Sequence, residues 1–224
     1  MKPETLFYII IAILVISFVI DQILDFLNAK HFNDPLPAEL QDVFDEEEYK
    51  KSQRYKKERY KFGILTSAIS LIATLLFFFF DGFVFVDSFA RSVSSNEIII
   101  ALVFFGTIMI ASDILSTPFS YYSTFVIEEK YDFNKTTRKT FFLDKLKGWA
   151  MGAVIGGILL SAIIWFYQST GKNFWLYAWG IITVFTILMN LFYARLIVPL
   201  FNKQTPLEEG SLRAQIETYA LKVG

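Results

Sequence analysis

Cysteine is absent from this 224-residue chain. That excludes disulfides, thiolate metal sites and cysteine nucleophiles. Histidine occurs once, as His31. A zinc-binding H-E-x-x-H needs two histidines one helical turn apart with a glutamate beside the first. This sequence holds no such motif, and His31, at the boundary of an apolar run, reads as a solvated side chain rather than a ligand. Net charge is nearly absent too: 21 Lys and Arg stand against 22 Asp and Glu. The molecule therefore has no global electrostatic attraction to nucleic acid. No glycine-rich phosphate loop, nucleophile elbow or convincing internal repeat occurs. No small-residue cleavage site follows the apolar run Leu6 to Ile20, so no removable signal peptide is expected.

What the chain has is apolar length. Hydrophobic residues make up 54% of it, with 25 phenylalanines, a composition rare in soluble domains and usual in multispan membrane proteins. The fold class expected is all-α, a polytopic membrane protein with about five transmembrane helices plus cytoplasmic amphipathic helices. Since about 20 residues cross the hydrocarbon, the spans fall at about 5–27, 62–80, 97–119, 149–167 and 174–200. Residues 1–204 are read as the five-span membrane domain and 205–224 as the start of a cytoplasmic helix.

Polar residues inside these spans are few. Asp21 and Asp25 are one helical turn apart and share a face. They read as a helix end reaching headgroups and water, against the alternative of a carboxylate pair lining a polar cavity. Asp113 lies toward the end of the third span, ahead of Thr117-Pro118, where proline should kink or end the helix. Arg195 lies in the second half of the fifth, near the same expected membrane face, so Asp113 and Arg195 form a candidate intramembrane pair. Gly152, Gly156 and Gly157 allow close helix packing. Trp175 and Trp179 suit an interfacial belt.

Between the spans, Asp34-Pro35-Leu36-Pro37 reads as a turn, and a charged helical pattern runs from Leu40 to Tyr60. Its acids precede its bases, which suits a helix dipole. Tyr49, Ser52, Tyr55 and Arg59 lie roughly on one stripe. Phe83 to Arg91 is a short, apolar, aromatic connection, either re-entrant or interfacial. Tyr131 to Thr137 reads as a turn followed by a helix start, because Asn and Thr bond locally to the backbone. Thr205-Pro206-Leu207-Glu208 has the form of a capping box, predicting a helix to about Lys222 with Leu212, Ile216, Tyr219 and Val223 on one face.

Lys and Arg alternate by segment. The N-terminus has only Lys2, the first loop eight, the second only Arg91, the third six, the fourth only Lys172, and the tail three. The basic side is the cytoplasmic side. This predicts the N-terminus outside and the C-terminus in the cytoplasm, in a bacterial inner membrane or the endoplasmic reticulum.

The densest polar stretch of the back half, Phe125 to Gly148, also carries a resemblance. Ile127, Glu128, Glu129, Lys130, Phe133, Asn134, Lys135 and Thr137, then Phe141, Asp144, Leu146 and Lys147, match a motif of the form IEE(K/R)-x-x-FN-(K/R)-x-T followed by F-x-x-D-x-(L/I)-K. Pro199, Leu200, Phe201, Asn202 and Lys203, then Thr205, Pro206, Leu207, Gly210, Leu212 and Arg213, match a second. Glu48, Tyr49, Lys51, Ser52 and Tyr55 match a weaker third. In this order they resemble the membrane-embedded zinc endopeptidases typified by CAAX prenyl protease 1.

The resemblance implies helices around a large intramembrane chamber, and endoproteolysis near the C-terminus of prenylated proteins or turnover of membrane proteins. In that family the H-E-x-x-H and a later glutamate ligand follow the position matched by Gly224. Zinc is therefore implied for the intact enzyme and no cofactor for this chain. The partners expected are the lipid bilayer, a downstream peptidase domain and a prenylated or membrane-protein substrate, with no nucleic acid. None of the matched residues is a catalytic or metal ligand in the family. Glu128, Glu129, Phe133, Asn134, Lys135, Thr137, Asp144, Pro199, Phe201 and Asn202 carry over as structural or chamber residues. A catalytically dead membrane scaffold is the alternative reading, and a small transporter subunit a further one.

Overall fold

The computed structural model describes residues 2–37 and 45–223. All regular structure among them is helical. The chain divides into two compact units, Met1–Phe141 and Phe142–Gly224.

The first unit opens with α1 (Pro3–Ala29), which has proline in its first turn, where the missing N–H costs no bond. It ends in a turn in which the Asp34 N–H donates to the His31 carbonyl at 3.2 Å. The turn thus precedes Pro35 and Pro37, which continue as irregular backbone. The part of the expected charged helix at 40–44 lies outside the described residues.

From Glu46 the pattern is a helix, and it does not stop at the membrane boundary. Helix α2 (Glu46–Phe79) fuses the charged segment and the second span into one element of 34 residues. Asp45 caps it, its carboxylate accepting from the N–H groups of Glu47 and Glu48 at 2.8 and 3.1 Å. Glu46 to Glu48 add negative charge to the first turn, where the helix dipole favours it.

Helices α1 and α2 run antiparallel. Phe7 near the start of α1 meets Phe78 and Phe79 near the end of α2. At the other end Phe32 meets Tyr60. Between them the Gln22 amide donates to the Ser67 hydroxyl at 3.3 Å.

Asp81 takes a left-handed conformation (φ 55°), which ends α2 and starts α3 (Gly82–Val93). Helix α4 (Glu97–Tyr122) follows, capped by the Asn96 side chain on the N–H groups of Ile98 and Ile99. Pro118 lies inside it and can offer no N–H to the carbonyl one turn back. The hydroxyls of Ser116 and Thr117 fold back onto the Asp113 carbonyl at 3.1 and 2.6 Å. Beyond Tyr122 the helix widens into a π-helical segment, Ser123–Glu128. After a loop, α5 (Arg138–Met151) begins, with the Thr137 hydroxyl accepting from the Thr140 N–H at 3.1 Å.

The second unit holds the rest of α5, a π-helical Gly152–Gly156, α6 (Gly157–Thr170), a 3-10 turn at Gly171–Asn173, α7 (Phe174–Leu196), α8 (Val198–Phe201) and α9 (Ser211–Val223). The apolar helical stretch Arg138–Phe201 covers 64 residues. Straight, it would be about 96 Å long, three times the hydrocarbon thickness. Gly171, at φ 56°, folds it back, and Phe166 and Tyr167 of α6 meet Tyr177 and Phe174 of α7 across the turn. The four long apolar segments therefore make five crossings.

One expected boundary is corrected. The final helix starts at Ser211, not Pro206, and residues 203–208 are irregular. Gly210 carries the highest helix cost of any residue other than proline, and the helix starts after it. The Arg213 guanidinium reaches back to the Leu207 carbonyl at 3.3 Å instead.

Candidate functional site

The IEEK segment folds where α4 ends. Its first residue, Ile127, is the one large side chain fully buried among the described residues. The chain then turns sharply. Three N–H groups, from Tyr131, Phe133 and Asn134, converge on the Glu128 carbonyl, the shortest at 2.9 Å. Asp132 sits at φ 63°, a left-handed position that a short polar side chain tolerates better than most. The Asn134 amide donates to the Glu129 carboxylate at 2.7 Å, and its oxygen accepts from the Thr136 N–H at 2.7 Å. Glu129 and Asn134 thus brace the turn internally.

The outer side of this turn grips the polar half of α2. Lys51 reaches Asp132 at 2.7 Å. Lys130 reaches Glu58 at 2.7 Å, and the Tyr131 hydroxyl donates to the same carboxylate at 2.8 Å. Arg59 donates to Glu128 at 3.1 Å and to the Ser123 hydroxyl at 3.2 Å. Between the ion pairs, Tyr55 packs edge-on against Tyr131 and Phe133, at 5.3 and 4.8 Å between ring centroids. Lys51 also lies over the Phe133 ring.

On α2 the gripping residues are Lys51, Tyr55, Glu58 and Arg59, spaced by three and four, so they form one stripe. The charges tune one another. The Lys130 ammonium, then the Tyr131 hydroxyl, hold the Glu58 carboxyl below the usual carboxylate range. Lys51 does the same for Asp132. The bond to Glu58 raises Lys130. Burial, then Glu58, raises the Tyr131 phenol.

Among the residues carrying the resemblance, Glu128, Glu129, Phe133 and Asn134 thus come together in the first unit, Lys135 is exposed after them, and Thr137 caps α5. Asp144, Pro199, Phe201 and Asn202 belong to the second unit. There Lys147 pairs with Asp144 at 3.1 Å and lies over the Phe201 ring at 5.6 Å. The Asn202 N–H closes α8 on the Val198 carbonyl. Asp113 and Arg195 fall in different units. Asp25 lines a groove with Asn28, His31, Arg59, Tyr60 and Gly63, and Asp21 does not. The role of Glu58 went unread in the sequence, although its spacing from Lys51 and Tyr55 was there to find.

The described side chains do not assemble a catalytic zinc site. His31 is exposed and engages Asp34 at 2.7 Å. Among the described residues no group of three His, Cys, Asp or Glu side chains is placed to hold a metal ion.

A family described as CAAX prenyl protease N-terminal, five membrane helices, matches residues 25–203. The chain belongs to this CAAX prenyl protease family. It is 37% identical over 200 residues to the "Probable CAAX prenyl protease 1" of Schizosaccharomyces pombe, covering 84% of this chain and 42% of that protein. It is 33% identical over 219 residues to the "CAAX prenyl protease 1 homolog" of Oryza sativa subsp. japonica, covering 94% of this chain and 52% of that one. The crystal structure of S. mikatae Ste24p superposes with a TM-score of 0.89 at 32% identity, over all of this chain and 54% of that one. The chain spans about half the length of the curated relatives it matches. As a member of this family it is an all-α integral membrane protein with five spans.

Proposed function

We propose that this chain is the N-terminal, membrane-chamber portion of a CAAX-type metalloendopeptidase that cleaves near the C-terminus of prenylated proteins. The observation that carries the reading is the family match over residues 25–203, coinciding with a family-like IEEK-x-x-FNK-x-T segment that folds into a defined clamp. In this reading the clamp positions helices. Arg59 with Glu128, Glu58 with Lys130 and Lys51 with Asp132 tie the polar end of α2 to the end of α4, and so set the spacing of two spans. The basic segments favour a cytoplasmic location for that end, with the N-terminus outside. In this reading the metal and the hydrolytic water are supplied by a downstream peptidase domain, in keeping with a chain that spans about half the length of the relatives it matches. That domain docks against the apolar stripe of α9.

Zinc content and hydrolysis of a farnesylated CAAX peptide test this. The chain alone should hold no stoichiometric zinc and cleave nothing. A polypeptide extended by its downstream coding sequence should do both, and lose both to a chelator. Chelator-sensitive cleavage by the chain alone would overturn the assignment of catalysis to a separate domain. An extended polypeptide that binds no zinc would favour a membrane scaffold.

A further inference from the structure

We propose that α3 is an interfacial anchor: an oblique amphipathic helix whose uncovered aromatic strip, Phe85 and Phe89, lies in the lipid of the leaflet opposite the clamp. The argument begins with depth. At the clamp end, α2 and α4 are level, because Phe62 meets Tyr122 at 5.0 Å. From there α2 rises about 27 Å to Phe80, whereas α4 rises about 37 Å to Glu97. The hydrocarbon is about 30 Å thick. Phe80 therefore reaches its far boundary, and Glu97 stands about 10 Å above it among the headgroups.

Helix α3 bridges that step. Its lower end is fixed by Phe83, which packs on Phe77 and Phe78 of α2 at 4.8 and 5.0 Å and stacks on Phe104 of α4. Phe104 lies seven residues into α4, again about 10 Å below Glu97. The upper end is polar: Arg91 pairs with Asp87 at 2.9 Å and approaches Glu97 at 3.8 Å. With 12 residues, α3 is about 18 Å long and climbs about 10 Å, so it runs obliquely through the interface.

The apolar arc of α3 is wider than its contact with the protein. Val86 and Ala90 are buried, at 5% and 0% exposure. On the adjoining arc, Phe85 and Phe89 follow one another at four-residue spacing, and Phe85 is 75% exposed. Phe80, where α2 ends, is 77% exposed too. Asp87, Ser88 and Arg91 occupy the remaining arc, and Ser92, one turn above Phe89 at the polar end, closes the strip. Val84 is exposed as well, in the first turn, where the helix lies deepest. An amphipathic helix with this division places its apolar side among acyl chains and its polar side in headgroups and water.

The absence of cysteine makes the test direct, since each introduced cysteine is the only one. Nitroxide labels on Phe85→Cys, Phe89→Cys, Ser88→Cys and Arg91→Cys, in the full chain reconstituted into phosphatidylcholine vesicles, report collisions with oxygen and with a water-soluble nickel chelate. At positions 85 and 89 the oxygen-to-nickel ratio should exceed that at 88 and 91 several-fold, with 85 deeper than 89. Equal nickel accessibility at all four positions would mean that the strip faces water. Low accessibility to both reagents at 85 and 89 would mean that protein, such as a second copy, covers it. Either result overturns the proposal.

Discussion

At Glu58 two donors meet one carboxylate, and the consequence is a pH dependence of known sign. Its carboxyl is held below the ordinary range by Lys130 and Tyr131. Its contribution to stability is therefore present above the ordinary carboxylate pKa of about 4 and lost as pH falls through the lowered value. Lys130 is raised, so its share is present below the ordinary lysine pKa of about 10 and lost as pH rises past the raised one. Glu58→Gln should lower the thermal unfolding temperature in detergent by an amount constant from roughly pH 5 to pH 10, with the two curves converging outside that window. A difference that persists undiminished in strong acid would mean that the charge is not what matters. Ile127 is a different kind of residue, holding by volume alone. Truncation to Ala leaves a cavity under the turn and should cost about 2–5 kcal/mol, read from denaturant unfolding. A loss below about 1 kcal/mol would show that the site collapses freely or that the turn is not part of the cooperative unit.

Among the elements, the joint between α2 and α3 is the most constrained. Asp81 takes the left-handed turn, and the Phe77 ring lies so close to the Gly82 α-carbon that a methyl group there would overlap it. Gly82→Ala should cost about 1–3 kcal/mol by overpacking, less the few tenths that alanine returns in helix propensity. Adding Phe77→Ala should relieve the overlap, so the double variant should lose less than the sum of the singles. Additive losses would show that the two do not meet. This joint also marks the limit of what the sequence reveals about elements. The long apolar runs disclose the spans because nothing else in a chain of this length is so uniformly apolar. The aromatic connection after Phe80 was recognisable as apolar but not as a helix, because a stretch of only twelve residues suits several structures. Helix α2 was read as two elements because hydropathy changes at Phe62 while the backbone does not. The capping box at Thr205 matched every side chain required, and Gly210 was the residue given too little weight.

For the whole molecule, the alternating Lys and Arg counts make a sharp statement about sidedness. A membrane-impermeant thiol reagent should reach Arg91→Cys and Lys139→Cys from opposite faces of sealed vesicles. Labelling of both from one face would remove the five-crossing orientation. The all-α membrane class was legible from composition, because burying so many phenylalanines needs a lipid phase. The clamp was only half legible. Its charges are visible in order, but the pairing of Lys51 with Asp132, 81 residues away, depends on how two spans pack, and no local pattern encodes that. The unbroken length of α2 has a mechanical consequence. One end is held by the three ion pairs, the other by the phenylalanine joint to α3, and about 30 Å of helix separates Arg59 from Phe79. Angular play of about 5° at the clamp becomes a displacement of about 3 Å at Phe79, given that length. Helix α2 is thus a lever, and loosening a salt bridge on one side of the membrane is felt as movement on the other.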